Sequence, residues 1–542
     1  MRQRLLLFAP TGIEAALARS GAPAANVVRT GMGPRRAARA AARAAVEGAA
    51  GLAVAGFGGA LSAELRPGDV VVASEVRAPD GRVLHRFPGA AVIAGMLRRS
   101  GIDAHAGPIV SVRGPAVGRA RRRLRESGAL LVDMESAWLA PAAAGRPFVV
   151  LRVVLDALGA QGDFNETRRY SGLLSRPPGA QLRRLAAAGR GALRAARTLR
   201  VAASVLAQWG EGISPREAVL ASPRASCAGV ERAIEVVERA LERYGPPVYM
   251  RKQIVHNRHV VDELERRGAV CVDELGQVPD GATVVFSAHG VSPGVRAEAE
   301  GRNLKVVDAT CPLVNKVHAE ARRFAADGYT IFLIGHEGHE EVDGTFGERP
   351  DHIRVIDPEG DLDGLDAPDS ARVAYLTQTT LAVDETRGMI ERLRARFPEI
   401  AGPRSDDICY ATQNRQDAVR GLAAQCELVL VVGSRNSSNS NRLVEVARRS
   451  GATARLLDDE SELDPAWLQG VGRVGITAGA SSPERVLQRM LGALEVLGPL
   501  NRSEHSVAEE TVRFALPREV RAQTADDLAP GVPRTLESEG MV

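Results

Sequence analysis

Cysteine and aromatic residues are scarce in this chain of 542 residues. It contains 5 cysteines, and phenylalanine, tryptophan and tyrosine together make up 4% of it. So few cysteines exclude a disulfide scaffold and fit a reducing compartment. The formal net charge is only +4, and a chain without a large positive excess is not expected to bind nucleic acid.

Long apolar runs are also missing. No stretch reaches transmembrane length without charges, and the first residues lack the long apolar region of a signal peptide. We therefore expect a cytoplasmic protein without stable membrane insertion. The length exceeds what one hydrophobic core can hold, and it predicts about two to four domains.

Three of the cysteines recur at long and similar intervals. Cys227, Cys311 and Cys409 each stand before an amphipathic, helix-like pattern and after an apolar, strand-like run. A helix N-terminus favours the thiolate that binds metal. No C-x-x-C pair of a structural zinc site is present, whereas three dispersed thiolates suit a cubane cluster with one open iron. Cys271 and Cys426 lie outside the repeat and are predicted to be core residues. A buried core position without a metal is also the alternative for the three repeated cysteines.

Two groups of polar residues recur after the cysteines, each at the end of an apolar strand. The first group comprises His256-Asn257, His336 to His339, and Ser437-Ser438-Asn439, and the second comprises His289, Thr379-Thr380 and Ser481-Ser482. Polar groups at the carboxyl ends of parallel strands converge on one crevice. With the carboxylate of Glu341, they predict a metal cluster that faces an anionic substrate. The alternative is that Ser437 only caps a helix and that the histidines are ordinary core or surface residues.

These blocks stand in an order that resembles a known family. Cys227-Ala-Gly-Val, Phe286-Ser-Ala-His-Gly-Val, Asp308-Ala-Thr-Cys-Pro, Thr377-Gln-Thr-Thr and Gly433-Ser-Arg-Asn-Ser-Ser resemble the 4-hydroxy-3-methylbut-2-enyl diphosphate reductase (IspH/LytB) family. The resemblance implies a pseudo-threefold trefoil of three α/β modules around a 4Fe-4S cluster. It also implies an oxidoreductase that removes the allylic hydroxyl of its diphosphate substrate and forms isopentenyl and dimethylallyl diphosphates, the last step of the non-mevalonate isoprenoid pathway. The electron donor would be a protein such as ferredoxin or flavodoxin.

The resemblance also assigns roles to individual residues. The cluster ligands would be Cys227, Cys311 and Cys409, with the open iron facing the substrate's hydroxyl oxygen. Glu341 would deliver the proton that turns this hydroxyl into water, and Thr379 would hydrogen-bond the same oxygen. The diphosphate would be held by His256, His289, Thr380, Ser437, Ser438, Asn439 and Ser481, with His339 beside both the diphosphate and the proton path.

Two positions depart from the family pattern. Ala225-Ser226 replaces the usual Gly-Phe before the first cysteine, and Glu340 replaces the usual Pro before Glu341. Loss of the aromatic residue affects the expected oxygen tolerance of the cluster more than its ligands. We expect Glu340 to point to solvent. If it pointed inward, its charge could raise the pKa of Glu341.

The N-terminal part resembles a different family. Over about residues 1 to 165, the segments Arg29-Thr-Gly-Met-Gly-Pro, Leu131-Val-Asp-Met-Glu-Ser-Ala and Phe148 to Asp156 resemble the nucleoside phosphorylase and nucleosidase superfamily, in particular its hopanoid-associated branch. The resemblance implies a twisted mixed sheet flanked by helices.

The same resemblance implies an N-terminal site for a purine nucleoside. Met134 and Glu135 would lie at the ribose, and Asp156 would lie near N7 of the base. Glu14 would activate water in a nucleosidase, whereas Gly31 to Gly33 would hold phosphate in a phosphorylase. The alternative is a degenerate scaffold, with Glu135 as a helix-start carboxylate and Asp156 as a strand-end cap.

Four segments are expected from these patterns. They are a nucleoside phosphorylase-like domain at 1–171, a basic Ala- and Arg-rich linker at 172–214, the reductase at 215–523 and a disordered tail at 524–542. The linker is predicted to be a helix with a basic face that acts as a solvated tether. We predict a fusion enzyme, a reductase joined to a nucleoside-cleaving domain. The alternatives are a reductase with an inactive N-terminal module and a cluster-binding redox sensor.

Overall fold

The computed structural model describes residues 5–44, 48–116, 118–156, 189–362 and 364–521. Within these ranges the strands form one eight-stranded mixed sheet and three smaller parallel sheets. This mixed α/β architecture confirms the predicted fold class, while the pseudo-threefold arrangement of the modules stays a prediction. The predicted tail at 524–542 and residues 172–188 of the predicted linker lie outside the described residues.

The N-terminal part is built on the mixed sheet. Its strands are β1 (Leu6–Ala9), β2 (Asn26–Arg29), β3 (Leu52–Ala60), β4 (Val70–Arg77), β5 (Val83–Arg86), β6 (Ala104–Ser111), β7 (Leu131–Asp133) and β8 (Phe148–Asp156). Its helices are α1 (Gly12–Gly21), α2 (Pro34–Ala44), α3 (Ala90–Arg99), α4 (Gly118–Leu124) and α5 (Ser136–Leu139). The strand order is β2-β1-β3-β7-β6-β4-β5, and β8 pairs with both β3 and β4. Strands β3 and β8 are apolar runs buried on both faces, as expected for the centre of a covered sheet.

Helix α6 (Arg190–Gly212) joins the two parts of the chain. The prediction of a helix is confirmed here, but the prediction of a solvated tether is wrong. Small and apolar residues recur along the helix at intervals of three and four and form one buried stripe, which comprises Ala192, Ala195, Leu199, Ala202, Ala203, Leu206 and Trp209. From Ala195 onward this stripe belongs to a continuous hydrophobic core that contains residues of both parts, while Ala192 packs against Ile13. The arginines lie on the other face and had dominated the sequence pattern.

Trp209 is a central contact of this shared core. It is 1% exposed, and its indole N–H donates to the carbonyl oxygen of Val496 at 2.9 Å. We expect Trp209→Ala to lower the free energy of unfolding by about 3 to 5 kcal/mol, because it leaves a large cavity and removes a buried hydrogen bond. Val201→Ala, on the same helix at 36% exposure, is the control and should change stability by under about 0.5 kcal/mol. Urea denaturation of both variants checks this, and equal midpoints would contradict the role of Trp209.

The C-terminal part contains the three parallel sheets. The first has β10 (Val248–Arg251), β11 (Ala269–Val272), β12 (Thr283–Phe286) and β13 (Lys305–Asp308), and the second has β14 (Thr330–Ile334), β15 (Ile353–Ile356) and β16 (Val373–Thr377). The third has β9 (Arg216–Ser222), β17 (Leu428–Val432), β18 (Thr453–Leu457), β19 (Arg473–Ala478) and β20 (Leu500–Ser506). Strand β9 therefore precedes the first cysteine in sequence but pairs with β19 and β20 of the last sheet.

Helices flank these sheets. They are α7 (Ala228–Tyr244), α8 (Arg258–Arg266), α9 (Pro293–Gly301), α10 (Pro312–Ala326), α11 (Glu340–Phe346), α12 (Val383–Arg396), α13 (Tyr410–Ala423), α14 (Ser438–Arg449) and α15 (Glu484–Glu495). Among the described residues, none of the helices is both long enough and apolar enough to cross a membrane.

Candidate active site

Each of the three predicted cysteine ligands is the residue that begins a helix. Cys227, Cys311 and Cys409 are the N-caps of α7, α10 and α13, and all five cysteines of the chain are free. The predicted strand-to-helix position is correct for Cys227 and Cys311. Cys409 instead follows loop residues 402–408.

The same backbone contact holds each cysteine in place. The amide of Cys227 donates to the carbonyl of Ala480 at 3.2 Å, that of Cys311 to Ala288 at 2.9 Å, and that of Cys409 to Thr379 at 3.1 Å. These three acceptors lie at or directly before polar residues of the second recurrence. The contacts therefore place each cysteine next to a predicted substrate-binding loop.

The thiols of Cys227 and Cys311 face a common space beside Gly229, and that of Cys409 lies close enough to interact electrostatically with both. A Cβ atom on Gly229 would lie 2.7 Å from Sγ of Cys311 and 3.8 Å from Sγ of Cys227, so only glycine leaves this side of the thiols free. Burial, followed by repulsion from the neighbouring cysteines, raises the pKa of Cys311 to about 12 and that of Cys409 to about 11. Here burial outweighs the helix-terminal stabilisation expected from the sequence, and a bound metal's charge is what turns such thiols into thiolates. Three neighbouring thiols that a bound metal would convert to thiolates are consistent with a metal-cluster site.

The loop before Cys227 carries the first departure from the family pattern. Ala225 has φ of 60°, in the left-handed region that favours glycine. Its carbonyl oxygen accepts hydrogen bonds from Nε and Nη2 of the buried Arg415 at 3.1 and 2.7 Å, and Arg415 is in turn paired with Glu510. These contacts hold the loop in this conformation without a glycine.

Glu341 lies at the start of α11 and is 3% exposed. Its carboxylate accepts from the backbone N–H of Thr379 at 2.6 Å and from the Thr379 hydroxyl at 3.0 Å. Burial is the largest influence on this carboxyl and raises its pKa above the usual range. Because the carbonyl of Thr379 also accepts from the amide of Cys409, a buried carboxyl group stands beside the cysteine site.

Three predicted histidines form one cluster. The rings of His256 and His289 stack with centroids 3.9 Å apart, and the ring of His339 lies edge-on at 5.5 and 6.0 Å from them. Burial, followed by the neighbouring histidines, lowers the pKa of His256 to about 2 and that of His339 to about 4. Both ring nitrogens of His256 and Nε2 of His339 are buried with no partner within the described residues. Buried polar atoms of this kind are expected to have a partner, which indicates a ligand.

The predicted hydroxyl and amide groups are joined by hydrogen bonds, and Ser481 connects them to the histidine cluster. Ser481 Oγ donates to the carbonyl oxygen of His256 at 3.1 Å and lies 3.3 Å from Ser437 Oγ. Thr380 Oγ1 lies 3.0 Å from Ser438 Oγ, and Asn439 accepts from the amide of Ala480 through Oδ1 at 2.9 Å. Ser437 is also the N-cap of α14, so the helix-capping alternative and membership of this group hold together.

Two further residues of this site, Asn257 of the first polar group and Gln378 of the Thr377-Gln-Thr-Thr motif, were given no role from the sequence. The side chain of Gln378 donates to Thr380 Oγ1 at 3.0 Å, and that of Asn257 donates to Ser482 Oγ at 3.3 Å. Their positions directly beside Thr379 and His256 were the available signal.

The prediction that Glu340 points to solvent is wrong. Its side chain is 23% exposed, and its Oε2 atom lies 3.2 Å from Nδ1 of His289 and accepts from Ser287 Oγ at 3.4 Å. The pair with His289 is a favourable contact that solvent exposure could not supply. Burial acts to raise the pKa of Glu340. The hydrogen bond to His289 and the charges of the nearby histidines and Lys252 outweigh burial and lower this pKa.

The N-terminal site residues meet around a buried arginine. Nη2 of Arg152, which is fully buried, donates to Asp133 at 2.5 Å and to Oε2 of Glu135 at 3.3 Å, while the amide of Gly33 donates to Oε1 of Glu135 at 3.0 Å. Burial is the main cause that raises the pKa of Glu135 to about 7. Arg152 was missed because a lone arginine in an apolar strand pattern gives no sign of its partners.

Other predicted N-terminal residues have different surroundings. Glu14 forms a capping box with Thr11, and its two carboxylate oxygens accept from the amides of Thr11 and Phe57 at 2.8 and 2.7 Å. Met134 packs against an apolar cluster that includes Leu61 and Val132. The structure brings Glu14, Glu135 and Gly33 together around Arg152.

Asp156 lies apart from this group. It ends β8 with its side chain 45% exposed and forms an ion pair with Arg121. Arg121 Nη2 also donates to the Asp156 carbonyl at 3.0 Å. The predicted base-binding carboxyl is thus held by an arginine that the sequence did not single out.

Comparisons with known proteins agree with both resemblances. A family model described as LytB protein matches residues 218–495, and one described as Phosphorylase superfamily matches residues 10–171. A 4-hydroxy-3-methylbut-2-enyl diphosphate reductase of Mycolicibacterium paratuberculosis is 59% identical over 308 residues, which cover 57% of this chain and 93% of the relative. A protein of the same name from Rhodococcus jostii is 58% identical over 308 residues and is covered to 92%.

A solved structure supports the same assignment. The E-1-hydroxy-2-methyl-but-2-enyl-4-diphosphate reductase from Plasmodium falciparum matches with a TM-score of 0.55 and 38% identity, over 57% of this chain and 97% of that one. The family models and relatives confirm the two resemblances, the second at the level of the phosphorylase superfamily, while its hopanoid-associated branch stays a prediction. The chain belongs to the 4-hydroxy-3-methylbut-2-enyl diphosphate reductase (IspH/LytB) family and carries a phosphorylase-superfamily domain in its N-terminal part.

Proposed function

We propose that the C-terminal part reduces 4-hydroxy-3-methylbut-2-enyl diphosphate to isopentenyl and dimethylallyl diphosphates. The observation that carries this proposal is the buried Glu341 and Thr379 pair next to three converging thiols. Relatives with this activity in their names share 58 to 59% identity over nearly their whole length. The direct test is formation of both products by the anaerobic, cluster-loaded protein.

Cys227, Cys311 and Cys409 would hold a 4Fe-4S cluster. When bound, it supplies electrons and Lewis acidity at iron, and a one-electron donor such as ferredoxin or flavodoxin would replenish the electrons. The three cysteines begin three different helices, so their positions are fixed by separate elements of the fold. Positions fixed by separate elements of the fold favour a preorganised site.

The residues around the cluster would bind substrate and supply a proton. The serines, Asn439, Thr380 and the three histidines offer donors for the diphosphate oxygens. The lowered pKa values of His256 and His339 leave these two imidazoles neutral, so they donate without a fixed positive charge. Glu341, whose pKa is raised by burial, would give its proton to the departing hydroxyl, which leaves as water. Thr379 holds the carboxyl group in position through two hydrogen bonds. Burial of the pair also excludes bulk water from the proton transfer.

We further propose that the N-terminal part cleaves a purine nucleoside. Support comes from the phosphorylase-superfamily match and from Glu135, which joins the loop at Gly33 to Arg152. Glu135 would bind the ribose and Asp156 would act at the base. The two activities would lie at 1–171 and 215–523, with 172–214 between them. The alternative is an inactive N-terminal module. Both carboxylate oxygens of Glu14 already accept backbone hydrogen bonds, which favours this alternative over a nucleosidase that uses Glu14 to activate water.

Two substitutions test the N-terminal proposal. Glu135→Gln should lower purine release at least about tenfold, because it removes the charge that pairs with Arg152 and the ribose acceptor. Asp156→Asn should lower it similarly, because the amide has no acid proton for the base. Purine release from adenosine or inosine, with and without phosphate, is measured by chromatography. If the wild type is active and release survives both changes, the assigned site is wrong.

A further inference from the structure

Each of the three helices that begin at a cysteine ligand carries a basic residue at nearly the same place. These residues stand five, five and six positions after Cys227, Cys311 and Cys409, and they are Arg232, Lys316 and Arg415, respectively. An interval of roughly one and a half helical turns directs such a side chain away from the side on which the cysteine lies. Each cation can therefore reach a neighbouring element of the fold instead of its own cysteine.

Lys316, on α10, binds the loop in front of Cys409. Its Nζ atom donates to the carbonyl oxygens of Ser405 and Asp406 at 2.5 and 2.7 Å. The same atom lies 3.2 Å from Oδ1 of Asp407, whose side chain is fully buried. Because Ser405 and Asp406 are exposed, packing does little to fix their backbone, and the lysine supplies this function.

Arg232, on α7, binds the loop in front of Cys311 in the same way. Its Nη1 atom donates to the carbonyl oxygens of Ala309 and Thr310, both at 3.1 Å. Its Nε atom donates to the carbonyl oxygen of Ala515 at 2.8 Å. The guanidinium group therefore joins helix α7, the loop before the second cysteine and the C-terminal segment.

Arg415, on α13, completes the pattern at the loop in front of Cys227. Its Nε and Nη2 atoms donate to the carbonyl oxygen of Ala225 at 3.1 and 2.7 Å, and its Nη1 atom donates to Glu510 at 2.9 Å. The helix of the first cysteine thus holds the loop before the second, the helix of the second holds the loop before the third, and the helix of the third holds the loop before the first. These contacts form a closed ring around the cysteine site.

The ring acts through position more than through its charge. Lys316 lies beside Asp407, and Arg415 pairs with Glu510, so carboxylates offset two of the three cations. The hydrogen bonds to the carbonyl oxygens remain, and bonds from a charged donor are roughly twice as strong as bonds between neutral groups. A cysteine can ligate iron only while the backbone before it stays in place. Loss of one contact of the ring should thus free the cysteine that follows the bound loop.

We propose that Arg232, Lys316 and Arg415 are positioning residues of the cluster site, and that each fixes the cysteine of a neighbouring helix instead of its own. The positions of the three ligands then depend on one another, because a change at one helix is transmitted to the next cysteine. This inference rests on the proposed cluster but not on the reductase reaction.

Alkylation of the individual cysteines tests this inference. The anaerobic, cluster-loaded full-length chain is treated with iodoacetamide, which reacts with thiolates that are not bound to iron, and mass spectrometry after digestion gives the initial rate at each cysteine. Lys316→Met keeps the length of the side chain but removes the cation, and Arg232→Met tests a second contact of the ring. Lys316→Arg restores a cation. Lys305→Met, at the exposed first residue of β13, is the matched control.

Lys316→Met should raise the alkylation rate at Cys409 at least about tenfold, and more than the rate at Cys311, because it removes hydrogen bonds from a charged donor. Arg232→Met should act in the same way on Cys311, and more than on Cys227. Lys305→Met should stay within about twofold of the wild type, and Lys316→Arg should restore most of the protection of Cys409.

Equal increases at all three cysteines, or the largest increase at the cysteine of the substituted helix, would indicate a general loss of stability and overturn the inference. An unchanged rate in Lys316→Met, or Lys316→Arg as reactive as Lys316→Met, would also overturn it. The iron content of the wild type is measured first, and a chain that takes up no iron overturns the cluster and this inference together. No step requires turnover, so failure here is distinct from failure of the proposed reductase activity.

Discussion

Replacing Glu341 by glutamine should lower the reductase rate at least about 100-fold, because a positioned general acid contributes two to four orders of magnitude. Glutamine has nearly the same shape, and its side-chain carbonyl can still accept the 2.6 Å hydrogen bond from the amide of Thr379. It cannot supply an acid proton to the departing hydroxyl. The expected result is therefore a loss of turnover with an intact fold. Anaerobic rates with a chemical reductant give the measurement.

The controls for this variant separate chemistry from cluster loss. The iron content and visible absorption of Glu341→Gln should equal those of the wild type, because the three cysteines and not Glu341 are the proposed ligands of the cluster. Glu337→Gln, four residues earlier on an exposed position, should retain the wild-type rate. A full rate in Glu341→Gln with a loaded cluster would disprove the proton-delivery role.

Substituting serine for Cys311 should remove most of the bound iron, with a fall of at least tenfold in cluster absorption per chain. Cys311 begins α10, and its thiol lies beside Gly229, as does the thiol of Cys227. A hydroxyl is a much poorer ligand for iron than a thiolate. Because three protein ligands leave no spare one, loss of a single sulfur is expected to destabilise the whole cluster. Iron analysis after anaerobic reconstitution measures this.

Two other cysteines provide matched controls. Cys271 lies in β11 and packs against an apolar cluster, and Cys426 is buried in another. Cys271→Ser and Cys426→Ser should keep the full iron content, although Cys426→Ser places a hydroxyl in the core and should lower stability. If Cys271→Ser lost the cluster while Cys311→Ser kept it, the ligand assignment would be wrong.

The local features of the reductase site could be predicted from the sequence. The positions of Cys227 and Cys311 at helix starts follow from the change from apolar run to amphipathic pattern, which is a property of adjacent residues. Ordered motifs brought Glu341 and Thr379 into one hypothesis, and the structure places them in hydrogen-bond contact.

Features that depend on tertiary packing could not be predicted in this way. Glu340 turned out to face His289 because α11 meets the loop after β12, a contact between residues about 50 positions apart. The raised pKa of Cys311 comes from burial, which outweighs the local influence of its helix. The Ala and Leu residues of α6 recur at helical spacing and could have predicted its buried face. The many arginines of the segment instead favoured a solvent-exposed helix.

The N-terminal site shows the same limit more strongly. Arg152 and Arg121 are ordinary residues of a strand and a short helix in sequence, yet they pair with Glu135 and Asp156, respectively. Sequence motifs identified the carboxylates but not these partners. Because Asp156 is the residue proposed to act at the base, its ion pair with Arg121 is the first contact to test when purine release is assayed.

The measurement that tests the central claim most directly is anaerobic incubation of the reconstituted full-length chain with 4-hydroxy-3-methylbut-2-enyl diphosphate and reduced methyl viologen, followed by product analysis. We predict both isopentenyl and dimethylallyl diphosphates, formed in proportion to the cluster content. A fully loaded cluster that consumes no substrate and yields neither product would contradict the account and favour a cluster-binding redox sensor.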